Sequence, residues 1–169
     1  MKKLLFLLLF IPLVSFGQKI IKNEVDEFTN NTVKITSWVK VVMNSNINAY
    51  VKSRKINKNY FLDFKMILDD KAYSIDKGEV LYLKLSNDKI LKLVNLSYEL
   101  VSVGGGSVGI SGSNLLGIGF TCEISEEILN ILIETPIVKL RVYTSEGYKE
   151  EIVKQKRAKK FIKMLEIIK

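Results

Sequence analysis

The chain has 169 residues, with 26 Lys and Arg against 18 Asp and Glu, a net charge of +8, one cysteine and no histidine. Without an imidazole, the chain lacks the commonest general base near neutral pH, the Ser-His and Cys-His nucleophile pairs and the commonest catalytic zinc ligand. One cysteine makes no internal disulfide, and a chain of this length folds as one domain without such staples.

The first segment reads as a secretory leader. Lys2 and Lys3 precede an apolar run over residues 4–14, and Ser15-Phe16-Gly17 offers small residues where a signal peptidase cuts. A membrane-spanning helix needs about 20 apolar residues, and the chain turns polar at Gln18 and Lys19. The expected division is therefore a signal peptide, 1-17, and one β-rich domain, 18-169. The mature domain is expected in the periplasm or outside the cell. It is not a lipoprotein, because no cysteine follows the cut and Cys122 is the sole cysteine.

Within that domain, apolar residues alternate with polar ones, the mark of half-buried strands. Strands are predicted over residues 19–25 and 33–42, separated by a turn containing Asn30-Asn31. Another follows over residues 47–56, and after a polar turn at 57–59 comes the clearest pattern in the chain. Tyr60, Leu62, Phe64, Met66 and Leu68 take one face there, and Phe61, Asp63, Lys65 and Ile67 the other. Asp69-Asp70 starts a turn before a short strand at 72–75. Residues 80–85 and 89–94 flank the tight loop Ser86-Asn87-Asp88, with Leu81, Leu83, Leu85, Leu91 and Leu93 inward. One further strand is expected over 97–103, then a long mobile Gly/Ser-rich connection over 103–119, then a strand over 119–124.

A short helix is expected near 125–135. Ser125 caps it, Glu126 and Glu127 suit its positive end, and Pro136 stops it. A hairpin over residues 137–143 and 148–153 turns at Ser145-Glu146-Gly147. The last segment, 154–168, carries an apolar stripe at Ala158, Phe161, Ile162, Leu165 and Ile168. Successive strands with late helices predict an α+β, mainly β, fold. Its antiparallel sheet curls into a sandwich or a partly open barrel, with the C-terminal helix packed on it.

Candidate sites are few. Gly104, Gly106 and Gly109 match the dinucleotide-binding spacing, but no helix is predicted where that mechanism needs amides to hold a pyrophosphate. Cys122 alternates with Phe120 and Ile124 and reads as a buried small hydrophobe. Acid chemistry would have to come from Glu24, Asp26 and Glu27 or from Asp69-Asp70, which fit turns and opposite strand faces better. Calcium binding lacks its run of alternating acids. Trp38 and Tyr60 fit core or sheet-face roles, whereas Tyr50 and Tyr82 lie on outward registers and are the better exposed rings. The last helix presents Lys156, Arg157, Lys159, Lys160 and Lys163 opposite its stripe, a pattern shared by membrane-surface helices and by ordinary helices packed on a sheet.

Several segments together carry a resemblance: Val25-Asp26-Glu27-Phe28-Thr29, Ile75-Asp76-Lys77-Gly78-Glu79-Val80-Leu81-Tyr82-Leu83-Lys84-Leu85, the Gly/Ser stretch from Gly104, Pro136-Ile137-Val138-Lys139-Leu140-Arg141-Val142-Tyr143 and Ala158-Lys159-Lys160-Phe161. With the leader, they are similar to small exported proteins of Bacteroidetes-type bacteria that have no known activity. The resemblance implies export and supplies no site residue. The expected function is a non-catalytic exported domain that binds a protein or envelope component, with no cofactor and no catalytic or metal site. Its counter-charge would be an anionic envelope surface, not nucleic acid, although lysines also serve simply to solubilise a surface. The alternatives are a glycan-directed hydrolase using acidic residues, and a lipid or small-ligand carrier with an apolar cavity.

Overall fold

The computed structural model describes residues 19–44, 47–68 and 71–169. The expected leader and the turn at Asp69-Asp70 lie outside the described residues. In chain order the elements are β1 (Ile20–Val25), β2 (Thr32–Thr36), β3 (Val39–Met43), β4 (Ile47–Ile56), β5 (Asn59–Leu68), β6 (Ser74–Ile75), β7 (Val80–Leu85), β8 (Ile90–Val94), β9 (Glu99–Leu100), β10 (Ser102–Val103) and β11 (Leu116–Ile124). Then come α1 (Glu126–Glu134), β12 (Ile137–Thr144), β13 (Gly147–Ile152) and α2 (Gln155–Ile168). Among the described residues the fold is mainly β with two helices, and its strands pair antiparallel.

Local chemistry places the turns. Asn30, Asn57 and Asp88 take positive φ values of 55°, 55° and 63° between paired strands, and Gly147, the first residue of β13, takes 95°. Asn and Asp tolerate this left-handed region through their short polar side chains, and Gly has no Cβ to clash. The large sheet runs β1-β2-β4-β5-β11-β10, with β3 also on β4, and the smaller sheet runs β13-β12-β7-β8. Each order has two ends, so neither sheet closes into a barrel.

The expected strand over 33–42 is two strands, β2 and β3, laid end to end along β4. The break at Ser37 and Trp38 is bridged by a side chain: Thr36 Oγ1 accepts from Ser53 N at 2.9 Å and donates to Ser53 O at 3.2 Å. That hydroxyl replaces ladder bonds that the kinked backbone no longer makes. The expected strand over 97–103 is also divided. β9 pairs β6, a ladder that the bond from Val101 N to Tyr73 O at 3.0 Å continues, and from Ser102 the chain pairs β11 instead as β10.

One face of each sheet feeds a single core. Leu62, Phe64 and Met66 of β5 join Phe120, Cys122 and Ile124 of β11 there, and the Phe64 and Phe120 rings stack 5.0 Å apart. Leu81, Leu83 and Leu85 of β7 and Leu140 and Val142 of β12 enter from the smaller sheet. Each such side chain contributes about 1.5–3 kcal/mol by leaving water. Helix α1 begins as its sequence dictates: Ser125 Oγ accepts from Ile128 N at 3.2 Å, and Glu126 and Glu127 occupy the first turn. Helix α2 lies against β2, β3, β4 and α1 and buries Ala158, Phe161, Met164, Leu165 and Ile168. Met164 therefore takes the place in the stripe that the spacing assigned to Ile162, which is only half-buried.

The Gly/Ser-rich segment also differs from the expected connection. It forms successive turns, closed by Gly104 N to Leu115 O at 2.8 Å and by a bridge between Val108 and Ser111, and β11 already begins at Leu116. Gly106 lies so close to the Met66 carbonyl that a Cβ there would overlap it, and a Cβ on Gly117 would overlap Gly106. These glycines permit backbone to lie directly on backbone. No helix follows Gly109, so the spacing carries no dinucleotide site.

Candidate functional site

The smaller sheet turns its second face to solvent, and cross-strand register decides what meets there. Tyr82 of β7 sits opposite Lys92 of β8 and Arg141 of β12, and Arg141 sits opposite Glu150 of β13. Lys84 lies opposite Lys139, and Tyr143 opposite Tyr148. A register shift between Ile137 and Lys139 makes this arrangement possible. Strict alternation from the buried Ile137 would turn Leu140 and Val142 outward. The bulge inserts one residue, keeps those two in the core and aims Lys139, Arg141 and Tyr143 at solvent.

Among the described residues, the outcome is a face bearing three tyrosines and four cations, with Glu150 the carboxylate inside it and Asp88 reaching Lys84 from the adjoining loop, and with a depression of about 440 Å³ bordered by Tyr82, Lys84, Ile90, Lys139, Arg141 and Tyr143. Tyr143 stands between the other two rings, with centroids 5.8 Å from each. The Arg141 guanidinium lies 4.5 Å from the Tyr148 centroid, and Lys92 Nζ lies 5.7 Å from that of Tyr82. Glu150 accepts from Lys139 Nζ at 2.6 Å and from Arg141 Nε at 2.8 Å. The bonds from Lys139 and then Arg141 hold its carboxyl below the usual glutamate range. Glu150 is thus a fixed anion that sets two cationic side chains in place, the opposite of a general acid, whose pKa must be raised. Lys84 Nζ pairs with Asp88 at the exposed loop, at 2.8 Å.

The outer face of the large sheet has a different character. Asp63, 8 % exposed, takes Arg54 through Nε and Nη2 at 2.6 and 2.7 Å, Thr121 Oγ1 at 2.8 Å and Lys52 Nζ at 3.6 Å. Lys52 and Lys65 lie 4.9 and 5.3 Å from the Trp38 ring centroid, beside a shallow depression of about 200 Å³. Lys65 also donates to Ser107 O at 2.8 Å, which ties the glycine-rich turns to the sheet. Asp63 engages Arg54, Lys52 and Thr121, and Lys65 is held by the Ser107 carbonyl and the Trp38 ring, so these contacts tie strand to strand and turn to sheet.

Of the carboxylates considered for acid chemistry, Asp69 and Asp70 lie outside the described residues, and Glu24, Asp26 and Glu27 each take a local role at the end of β1 and its turn. Glu24 pairs with Lys22 at 3.0 Å. Asp26 accepts from Thr29 N at 2.8 Å, Thr29 Oγ1 at 2.9 Å and Phe28 N at 3.1 Å, and those bonds, with Thr29 foremost, lower its pKa. Glu27 is exposed in the same turn. Cys122 is fully buried, and burial, reinforced by the Asp63 charge, pushes its thiol up to about 12. Among the described residues, no group of three His, Cys, Asp or Glu is placed to hold a metal ion, and no helix is long and apolar enough to cross a membrane.

The aromatic expectations divide. Tyr60 is core, Trp38 is half-buried on the sheet face, and Tyr82 stands outward as its register predicts. Tyr50 is a correction: it is outward in register but only 6 % exposed, because the glycine-rich turns cover it and bring Ser111 Oγ to 3.4 Å from its hydroxyl. Tyr143, Tyr148, Lys139 and Arg141 were not singled out from the sequence, since their convergence with Tyr82 depends on the β7–β12 pairing and its bulge. No protein-family model, curated protein or solved structure matches this chain, so its tyrosine- and cation-bearing sheet face stands on its own geometry.

Proposed function

We propose that the chain is an exported, non-catalytic binding domain, and that the solvent face of β7, β8, β12 and β13 takes an acidic glycan of the cell envelope. The observation that carries this reading is the three-ring, four-cation face with one carboxylate. Tyrosine rings offer flat apolar surfaces for sugar faces, and Lys84, Lys92, Lys139 and Arg141 offer donors for carboxylate or sulfate groups. The leader supports export. The scaffold beneath is best read as an open sandwich of two antiparallel sheets, with α2 packed on the larger one. A hydrolase reading lacks support, because Glu150, the carboxylate in this face, is held ionised between two cations.

The test is calorimetric titration of residues 18–169 with a soluble polyuronate and, as control, a neutral glucan. Binding should be confined to the polyuronate and should weaken with salt. Tyr143→Ala, which removes the central ring, should weaken it about ten-fold, within the range of an aromatic contact. Glu150→Gln should strengthen it by freeing Lys139 and Arg141. Equal binding of the neutral glucan, or full affinity in Tyr143→Ala, would overturn the assignment. Export itself is checked by N-terminal sequencing of native material, with Gln18 expected as the first residue.

A further inference from the structure

Charge along this chain is segregated. Residues 18–153 carry seventeen basic and seventeen acidic side chains, whereas residues 154–169 carry seven basic ones against the single acid Glu166. The net charge of +6 after residue 17 therefore resides entirely in α2 and the two residues flanking it. A general lysine bias would spread it over the chain.

Geometry concentrates it further. Lys156, Lys159, Lys160 and Lys163 are exposed and recur at three- and four-residue spacing, which places them on one face over about 10 Å of helix. The opposite face is locked in the core through Phe161, Leu165 and Ile168. None of the four lysines lies in an ion pair among the described residues. We propose that this lysine face docks the domain on an anionic lipid bilayer, through headgroup phosphates and without insertion of the helix.

Three features select the bilayer over a polymeric partner. With Ala158, Phe161, Met164, Leu165 and Ile168 in the core and only Ile162 and Ile167 half-buried, the helix has no continuous apolar side to enter a protein groove or the acyl region. The face carries no aromatic ring for a sugar, in contrast to the β7–β13 face. Ammonium groups act as point charges on flexible stems and suit a plane of mobile phosphodiesters, each strengthening attachment about five-fold near such a surface. This inference does not rest on the glycan reading.

The experiment is co-sedimentation of residues 18–169 with vesicles of equal parts phosphatidylglycerol and phosphatidylcholine, and with phosphatidylcholine alone. Binding is expected only to the anionic vesicles and is expected to disappear in molar salt. The variant Lys156→Glu, Lys159→Glu, Lys160→Glu, Lys163→Glu should lose it by at least a hundred-fold, while a parent-like far-ultraviolet circular dichroism spectrum and a single cooperative unfolding transition show that it is still folded. Lys84→Glu with Lys139→Glu on the sheet face should retain it. Undiminished binding by the four-lysine variant, equal binding to neutral vesicles, or retention on a polyuronate column through α2 without vesicle binding would each overturn the proposal.

Discussion

The two helices are built on opposite terms. Helix α1 opens with a serine cap and two glutamates, so its first-turn amides and positive dipole end are met by acceptors and anions. Helix α2 opens at Lys154 with no side-chain cap, and Lys156 and Arg157 occupy its first turn. Cations there face the positive end of the macrodipole, each costing about 0.3–1 kcal/mol at low salt. The difference teaches where each helix draws its stability: α1 is partly written into its own start, whereas α2, uncapped at its start and met at its end by Lys55 Nζ on Lys169 O at 3.2 Å, is held chiefly by burial.

The largest expected effect breaks α2 at that burial. Phe161, 1 % exposed, is the largest fully buried side chain of the stripe. Phe161→Ala should lower stability by about 3–5 kcal/mol in urea unfolding, through lost transfer energy and the cavity left behind. A loss under about 1 kcal/mol would mean that α2 is not held by its core face, and the contrast with α1 would fail. The next effect is smaller and belongs to α1. Ser125→Ala removes the bond from Ile128 N and should cost about 1 kcal/mol, while Ser125→Asp should restore it. If Ser125→Ala unfolds like the parent, packing of Leu129 and Leu132 alone sets the start of α1.

Much of this was legible in the residues. Alternation in β4, β5 and β7, the Asn and Gly turns and the α1 cap are local signals, and the structure follows them. What escaped was non-local. The split at Ser37 and Trp38 depends on a Thr36 hydroxyl finding Ser53 across β4. The burial of Tyr50 depends on where the glycine-rich turns fold back, and the tyrosine face depends on a bulge that moves β12 by one residue against β7. Alternation names the faces of a strand but cannot say which strand lies beside it. The concentration of charge in residues 154–169 is plain in the sequence once charge is counted by segment instead of over the whole chain.

The smallest stability effect is the most discriminating, because its sign is unusual. Lys156→Glu exchanges a cation for an anion in the first turn of α2, without touching the buried stripe. If the lysines serve only the fold, replacing one should be neutral or harmful. Dipole electrostatics instead predicts a gain of about 0.3–1 kcal/mol at low ionic strength. Raising the salt to about 1 M, where the Debye length is about 3 Å, should abolish that gain. The same variant should bind anionic vesicles more weakly than the parent. A protein made more stable and less adherent by one substitution is the signature of a residue kept for its surface against the interest of its helix. A destabilised Lys156→Glu would place Lys156 among residues needed by the fold itself.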